Sequence, residues 1–163
     1  MRRGKWRCGY WLLVAYCFVA IPGCSSQLSP VPDSPFAAES ARVRATLDRL
    51  IEATNASDLA GVVDCFEAEA ILLPPTGQPV RGSAGIEEHY RGEFARGRLE
   101  VKLEIDESML ARTTATLRGR ATGRRIPLDG SAASEFSDNF TATLHRAPDG
   151  VWRLIGLDWT SVR

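Results

Sequence analysis

Asp138 is the residue whose neighbours give it the clearest chance of doing chemistry. It sits in Phe136-Ser137-Asp138-Asn139-Phe140. The alternation predicts a strand in which Asp138 shares one face with Phe136, Phe140, Ala142 and Leu144. A carboxyl on an apolar face is withdrawn from water, where it can donate or accept a hydrogen bond to a bound molecule. It can equally be spent on an arginine or a backbone amide, or turn to solvent at a strand end. His89 and Tyr90 are adjacent on a predicted helix, so they point about 100° apart. Tyr90 falls on the buried stripe, and His89, one step to the side, can reach the rim of a cavity. Asp158 and Trp159 alternate on the last strand, so one faces a pocket and the other the opposite surface. Asp138 with a second polar group, His89 or Asp158, could do general acid–base work if both converge on one cavity point. Asp138, His89, Tyr90, Asp158 and Trp159 are therefore the candidate cavity residues. His89 and His145 stand far apart without a ligand-spaced partner, so no metal set emerges. Neither a phosphate loop nor a nucleophile elbow is present, and no cofactor is expected.

Equal numbers of basic and acidic residues, 20 of each, hide an asymmetry. Arg2, Arg3, Lys5 and Arg7 all precede the apolar run GYWLLVAYCFVAI. Without them the chain carries 16 basic against 20 acidic residues, a net charge near −4. That excludes the basic face of a nucleic-acid binder. As a helix the apolar run would span only about 20 Å, short of the ~30 Å hydrocarbon core. Residues 1–23 therefore read as a signal peptide, followed by a Ser- and Pro-rich linker over residues 24–35 and a domain over residues 36–163. Cys8 and Cys17 leave with the signal peptide, and Cys65 is expected to be a buried, inert thiol on an apolar helix face.

The elements follow from periodicity. A helix is expected from Ser34 or Pro35 to Thr54, with Val43, Leu47, Leu50, Ile51 and Thr54 on one face and Glu39 turned away. Asn55-Ala56-Ser57 ends it. A second helix, capped by Ser57 or Asp58, carries the stripe Leu59, Val62, Val63 and Phe66. Ala70-Ile71-Leu72-Leu73 reads as a strand, Thr76-Gly77 as a turn, and Pro79-Val80-Arg81 as a short paired strand. A third helix from Gly82 or Ser83 buries Ile86, Tyr90 and Phe94. Strands are expected through Val101, Leu103 and Ile105, over residues 109–117, over residues 136–144 and over residues 151–161, with residues 122–131 a long loop. Ala147-Pro148-Asp149-Gly150 is a β-turn. Three helices followed by strands make an α+β pattern.

Two resemblances add to this reading. Ile21-Pro22-Gly23-Cys24 resembles the lipobox of bacterial lipoproteins, with Pro22 departing from the usual small residue. It implies lipidation of Cys24, a membrane anchor at the cell envelope and, with Ser25 next, outer-membrane sorting in a two-membrane bacterium. The alternative is an ordinary cleaved signal peptide and a secreted or periplasmic protein. Asn55-Ala56-Ser57-Asp58-Leu59 with Val62-Val63 and Phe66 resembles the N-A-G-D-L…F segment of SnoaL-like and ketosteroid-isomerase-like proteins. Gln78-Pro79-Val80-Arg81-Gly82 with Ile86 and Tyr90 resembles their second segment. Asp149-Gly150-Val151-Trp152-Arg153-Leu154 with Asp158-Trp159 resembles their last hairpin.

The resemblance covers residues 38–162. It implies the nuclear transport factor 2-like fold, a cone-shaped curved antiparallel sheet wrapped around three N-terminal helices, often dimeric through the outer face of the sheet. Ketosteroid isomerases use an Asp base, with a Tyr and a protonated Asp as oxyanion donors. Matched to this chain, the Tyr position falls on Leu50 and the base position on Pro74, and only Asp138 has a counterpart. The expectation is a noncatalytic envelope protein, a homodimer that binds a small apolar ligand or a protein partner. The alternative is a SnoaL-like isomerase, cyclase or dehydratase using Asp138.

Overall fold

The computed structural model describes residues 35–75 and 77–161. The expected signal peptide, Cys24, the linker up to Ser34 and Thr76 of the expected turn lie outside the described residues.

Helix α1 (Pro35–Ala56) buries Val43, Leu47 and Leu50, together with Thr46 and Thr54. Both threonines are tolerated inside because both are satisfied. Thr54 donates to the Leu50 carbonyl at 2.7 Å. Thr46 donates to the Trp152 carbonyl at 3.0 Å, tying the helix to the end of the chain. Glu39, expected to turn away, instead accepts from Trp152 Nε1 at 2.8 Å and from Arg42 at 2.8 Å, because the indole N–H is buried and needs an acceptor.

Helix α1 stops in a Schellman motif. The Asp58 amide reaches the Ala53 carbonyl (2.8 Å) and the Ser57 amide the Thr54 carbonyl (3.1 Å). Ser57 takes the left-handed conformation this requires, at φ 53°. Asp58 then caps helix α2 (Leu59–Asp64), its Oδ1 accepting from the Gly61 amide at 3.0 Å. This helix is shorter than its stripe suggested and buries only Val62. Phe66, expected on its apolar stripe, is the first residue of strand β1 (Phe66–Leu73), although still buried. The reason is the sheet: the Leu154 amide captures the Cys65 carbonyl at 2.8 Å, so pairing begins as soon as the helix is capped.

Strand β2 (Val80–Arg81) pairs with β1 through Ile71↔Arg81 and Leu72↔Val80, as the sequence suggested. Helix α3 (Gly82–Arg96) opens on Gly82 at φ +71° and buries Ile86 and Tyr90. Strands β3 (Gly97–Leu110), β4 (Thr114–Pro127), β5 (Ser134–Arg146) and β6 (Trp152–Ser161) follow. Two expectations are corrected here. Residues 109–117 are not one strand: Met109 and Leu110 end β3, and the chain reverses where the Ala111 amide meets the Thr114 carbonyl at 2.8 Å. Residues 122–131 are not one loop: Thr122 to Pro127 continue β4 in register with Gly97 to Lys102. Arg124 and Arg125 are exposed, Arg124 meeting Glu100 at 2.6 Å, and Gly123 is required because a Cβ there would collide with the Glu100 carbonyl oxygen.

The six strands form one curved, unclosed sheet in the order β2-β1-β6-β5-β4-β3. Neighbours are antiparallel, as expected of the long meander, except β1 and β6, which run parallel. Helix α1 packs on β3 and β6, and α3 on β1 and β3. The core between helices and sheet is built from Leu47, Leu50, Leu72, Ile86, Leu117, Leu144, Leu154 and Leu157, all fully buried.

Candidate functional site

A cavity of about 260 Å³ lies between the end of α1, α3, the starts of β3 and β5 and the ends of β4 and β6. Its apolar wall comes from Leu99, Val101, Phe136, Trp159, Pro74 and Pro75. Its polar lining comes from His89, Tyr90 and Asp138, with Thr54, Ser161 and the pair Glu93 and Arg125. Four of the five sequence candidates therefore meet here. Asp158 does not line the cavity: alternate residues of a strand point to opposite faces, and Trp159 takes the inner one.

Each candidate is placed by its element. Tyr90 follows Ile86 by one helical turn and is buried with it. Its ring contacts Phe94, with centroids 5.8 Å apart, and meets His89 edge-on at 5.5 Å. Burial pushes the Tyr90 phenol well above its ordinary range, so it remains a hydrogen-bond donor. Burial also lowers the His89 pKa, against the opposing pull of Glu93, which favours the neutral imidazole. Asp138 stands between Ala121 of β4 and Ser161 of β6 and is only 8% exposed. Phe140, two residues along the same face, stacks at a tilt against Trp159 at 5.9 Å.

The polar groups differ in what engages them. Glu93 Oε2 accepts from Arg125 at 2.8 Å, and Glu93 Oε1 accepts from Arg96, so this acid is committed. Among the described residues, no hydrogen bond or ion pair engages the side chains of Asp138, Tyr90 or His89. A wider groove of about 970 Å³, lined by Asn55, Glu100, Lys102 and Arg124, makes a useful contrast. There Asn55 is held by the Val101 backbone and Arg124 by Glu100. The groove's Lys102, Glu135 and Ser137 are exposed to water, so chemistry is better sought in the smaller cavity.

Sequence reasoning missed Glu93 and Arg125. Glu93 sits four residues after His89 and thus on its side of the helix, a signal that was available. Arg125 was hidden in the segment taken for a loop. Leu50 is fully buried in the core, at 0% exposure, and Pro74 is a buried part of the cavity wall. The two positions that the sequence resemblance matched to the tyrosine and base of ketosteroid isomerases are apolar. Cys65 is 2% exposed and donates to the Gly61 carbonyl at 3.3 Å, and burial raises its pKa, as expected of an inert thiol.

Comparison with known proteins agrees with this architecture. A ketosteroid isomerase-like protein from Erwinia carotovora atroseptica superposes with a TM-score of 0.71 at 17% identity, over 77% of this chain and 97% of that one. A conserved protein from Planctomyces limnophilus gives 0.72 at 20% identity, over 77% and 98%. A nuclear transport factor 2-like superfamily protein from Salmonella enterica serovar Typhimurium gives 0.69 at 12%, over 80% and 94%. At these identities the likeness is one of fold. No curated protein sequence matches the chain. The SnoaL-like domain matches residues 47–154, from the middle of α1 into β6, and the chain belongs to that family.

Proposed function

We propose that this domain holds a small, largely apolar molecule in the cavity beside α3, and that it does so at the bacterial cell envelope, where Cys24 anchors it. One observation carries the cavity reading. The Asp138 side chain, on a residue 8% exposed, has no hydrogen-bond or ion-pair partner among the described residues, and Tyr90 and His89, which line the same cavity, are equally uncommitted. Their polar atoms are not sealed from solvent, so a ligand entering the cavity can reach them in place of water. The apolar wall takes the ligand's skeleton, and the three polar groups fix its orientation. The cavity is slightly below the ~300 Å³ at which small-molecule sites usually begin, so a one-ring skeleton is the expected size. Calorimetric titration with phenol, benzyl alcohol and cyclohexanol tests this. Saturable binding is expected, and Leu99→Trp, which fills the wall, should abolish it while far-ultraviolet circular dichroism and cooperative thermal unfolding are retained. If no probe saturates the protein, the reading fails.

A second reading, an acid–base enzyme, is favoured by the same trio. A neutral imidazole can accept a proton, a protonated phenol can stabilise a developing oxyanion, and Asp138 can hold or relay the proton. Exchange of the α-protons of cyclohexanone in deuterium oxide, followed by proton magnetic resonance, would reveal it. A rate above buffer alone that falls in both His89→Gln and Asp138→Asn supports catalysis. A rate equal to buffer leaves the binding module.

A further inference from the structure

We infer that the molecule this cavity selects is a small organic ammonium ion, a protonated amine on an apolar skeleton of one-ring size. This rests on the cavity reading above and goes beyond it by assigning the ligand a charge.

Ionic groups along the wall differ in whether they have a partner. Three ionic side chains line it: Glu93, Arg125 and Asp138. Glu93 is held between Arg125, at 2.8 Å, and Arg96, so its single charge is taken up by two guanidinium groups. Asp138 is left as the acid without a counter-charge among the described residues. It is also the most buried of the three. A carboxylate offers about four lone-pair sites and no donor, so its complement is a group rich in N–H. An alcohol supplies one hydrogen bond but no charge. A carboxylate ligand would place like charges together.

The remaining wall agrees. Tyr90, Phe136 and Trp159 give the cavity three aromatic rings, and Phe140 buttresses the last of them. Aromatic faces attract a cation, by roughly 0.5–2 kcal/mol according to how far it is desolvated. His89 is held towards its neutral form by burial, so it does not oppose a bound cation. Thr54 donates its hydroxyl hydrogen to the Leu50 carbonyl, leaving its oxygen lone pairs as a further acceptor on the lining. Carboxylate, aromatic rings and neutral acceptors together form a receptor for an ammonium group.

The test is a calorimetric comparison of benzylamine, benzyl alcohol and benzoate near neutral pH on the purified protein and on Asp138→Asn. The amine is expected to bind at least about tenfold more tightly than the alcohol, the size of one charge-assisted hydrogen bond, and benzoate not at all. In Asp138→Asn the amine should fall to the alcohol's affinity. An alcohol that binds as tightly as the amine would overturn the ammonium assignment and leave the cavity reading standing. Failure of all three probes, together with those of the previous section, would overturn both. A full amine preference kept in Asp138→Asn would remove Asp138 as its source. Should that variant not fold, the amine-to-alcohol ratio of the native protein and its weakening by salt still decide the matter.

Discussion

His89 loses solvent as helix α3 packs beside the sheet, and the charged imidazolium suffers most from that loss. The consequence for stability has a definite sign. The folded-state pKa lies below the ordinary value of 6.5. Between those two values the unfolded chain binds a proton that the native chain does not, so stability rises with pH across that window. Falling pH should therefore weaken the fold from 6.5 downwards and level off below the folded-state pKa. Urea titrations at a series of pH values should show this step in the native protein, and His89→Gln should flatten it. An unchanged step in the variant would assign it to another group. The same burial that keeps His89 neutral keeps the Tyr90 phenol protonated, so both enter the cavity uncharged near neutral pH.

The junction between α1 and α2 shows why a short motif can matter to a whole fold. Asn55 clamps β3 from the helix end: its Oδ1 accepts from the Val101 amide at 2.7 Å and its Nδ2 donates to the Val101 carbonyl at 3.0 Å. Val101 is a cavity residue, so this clamp helps set the position of the wall. Two residues on, Ser57 occupies the left-handed position that closes α1. A residue with a Cβ pays roughly 1 kcal/mol or more there, while glycine is free of that strain. Glycine's greater freedom in the unfolded chain offsets part of the gain. Ser57→Gly is thus expected to stabilise the domain by about 0.5–1 kcal/mol, a rise of a few degrees in Tm. A lower Tm would mean that the serine hydroxyl has a role that the hydrogen bonds described here do not include.

At the scale of the molecule, we propose that the fold supplies a site and the N-terminal segment an address. The lipobox-like Ile21-Pro22-Gly23-Cys24 is a proposal about that address. Intact mass spectrometry of protein from a bacterial membrane fraction should find a lipidated Cys24 at the mature N-terminus, and Cys24→Ala should abolish it. Cleavage at another residue would make the protein secreted or periplasmic and leave the cavity unaffected.

Helical and strand periods in this sequence determined the three helices, the final hairpin and the faces they bury, because local geometry repeats along the chain whatever lies beyond it. The glycine, asparagine and aspartate positions between Asn55 and Gly82 marked the junctions, since helix caps and left-handed turns are short-range requirements. The face of Asp138 was legible for the same reason. Long-range pairing was not. The extension of β4 through Arg124 and Arg125 depends on β3 lying alongside it, and the parallel contact of β1 with β6 joins opposite ends of the domain. Only those pairings bring His89, Tyr90, Asp138 and Trp159 around one cavity, turn Asp158 away from it, and let Glu93 meet Arg125. Which polar groups are left for a ligand follows from what every other group has already bonded, and that is a property of the packed structure.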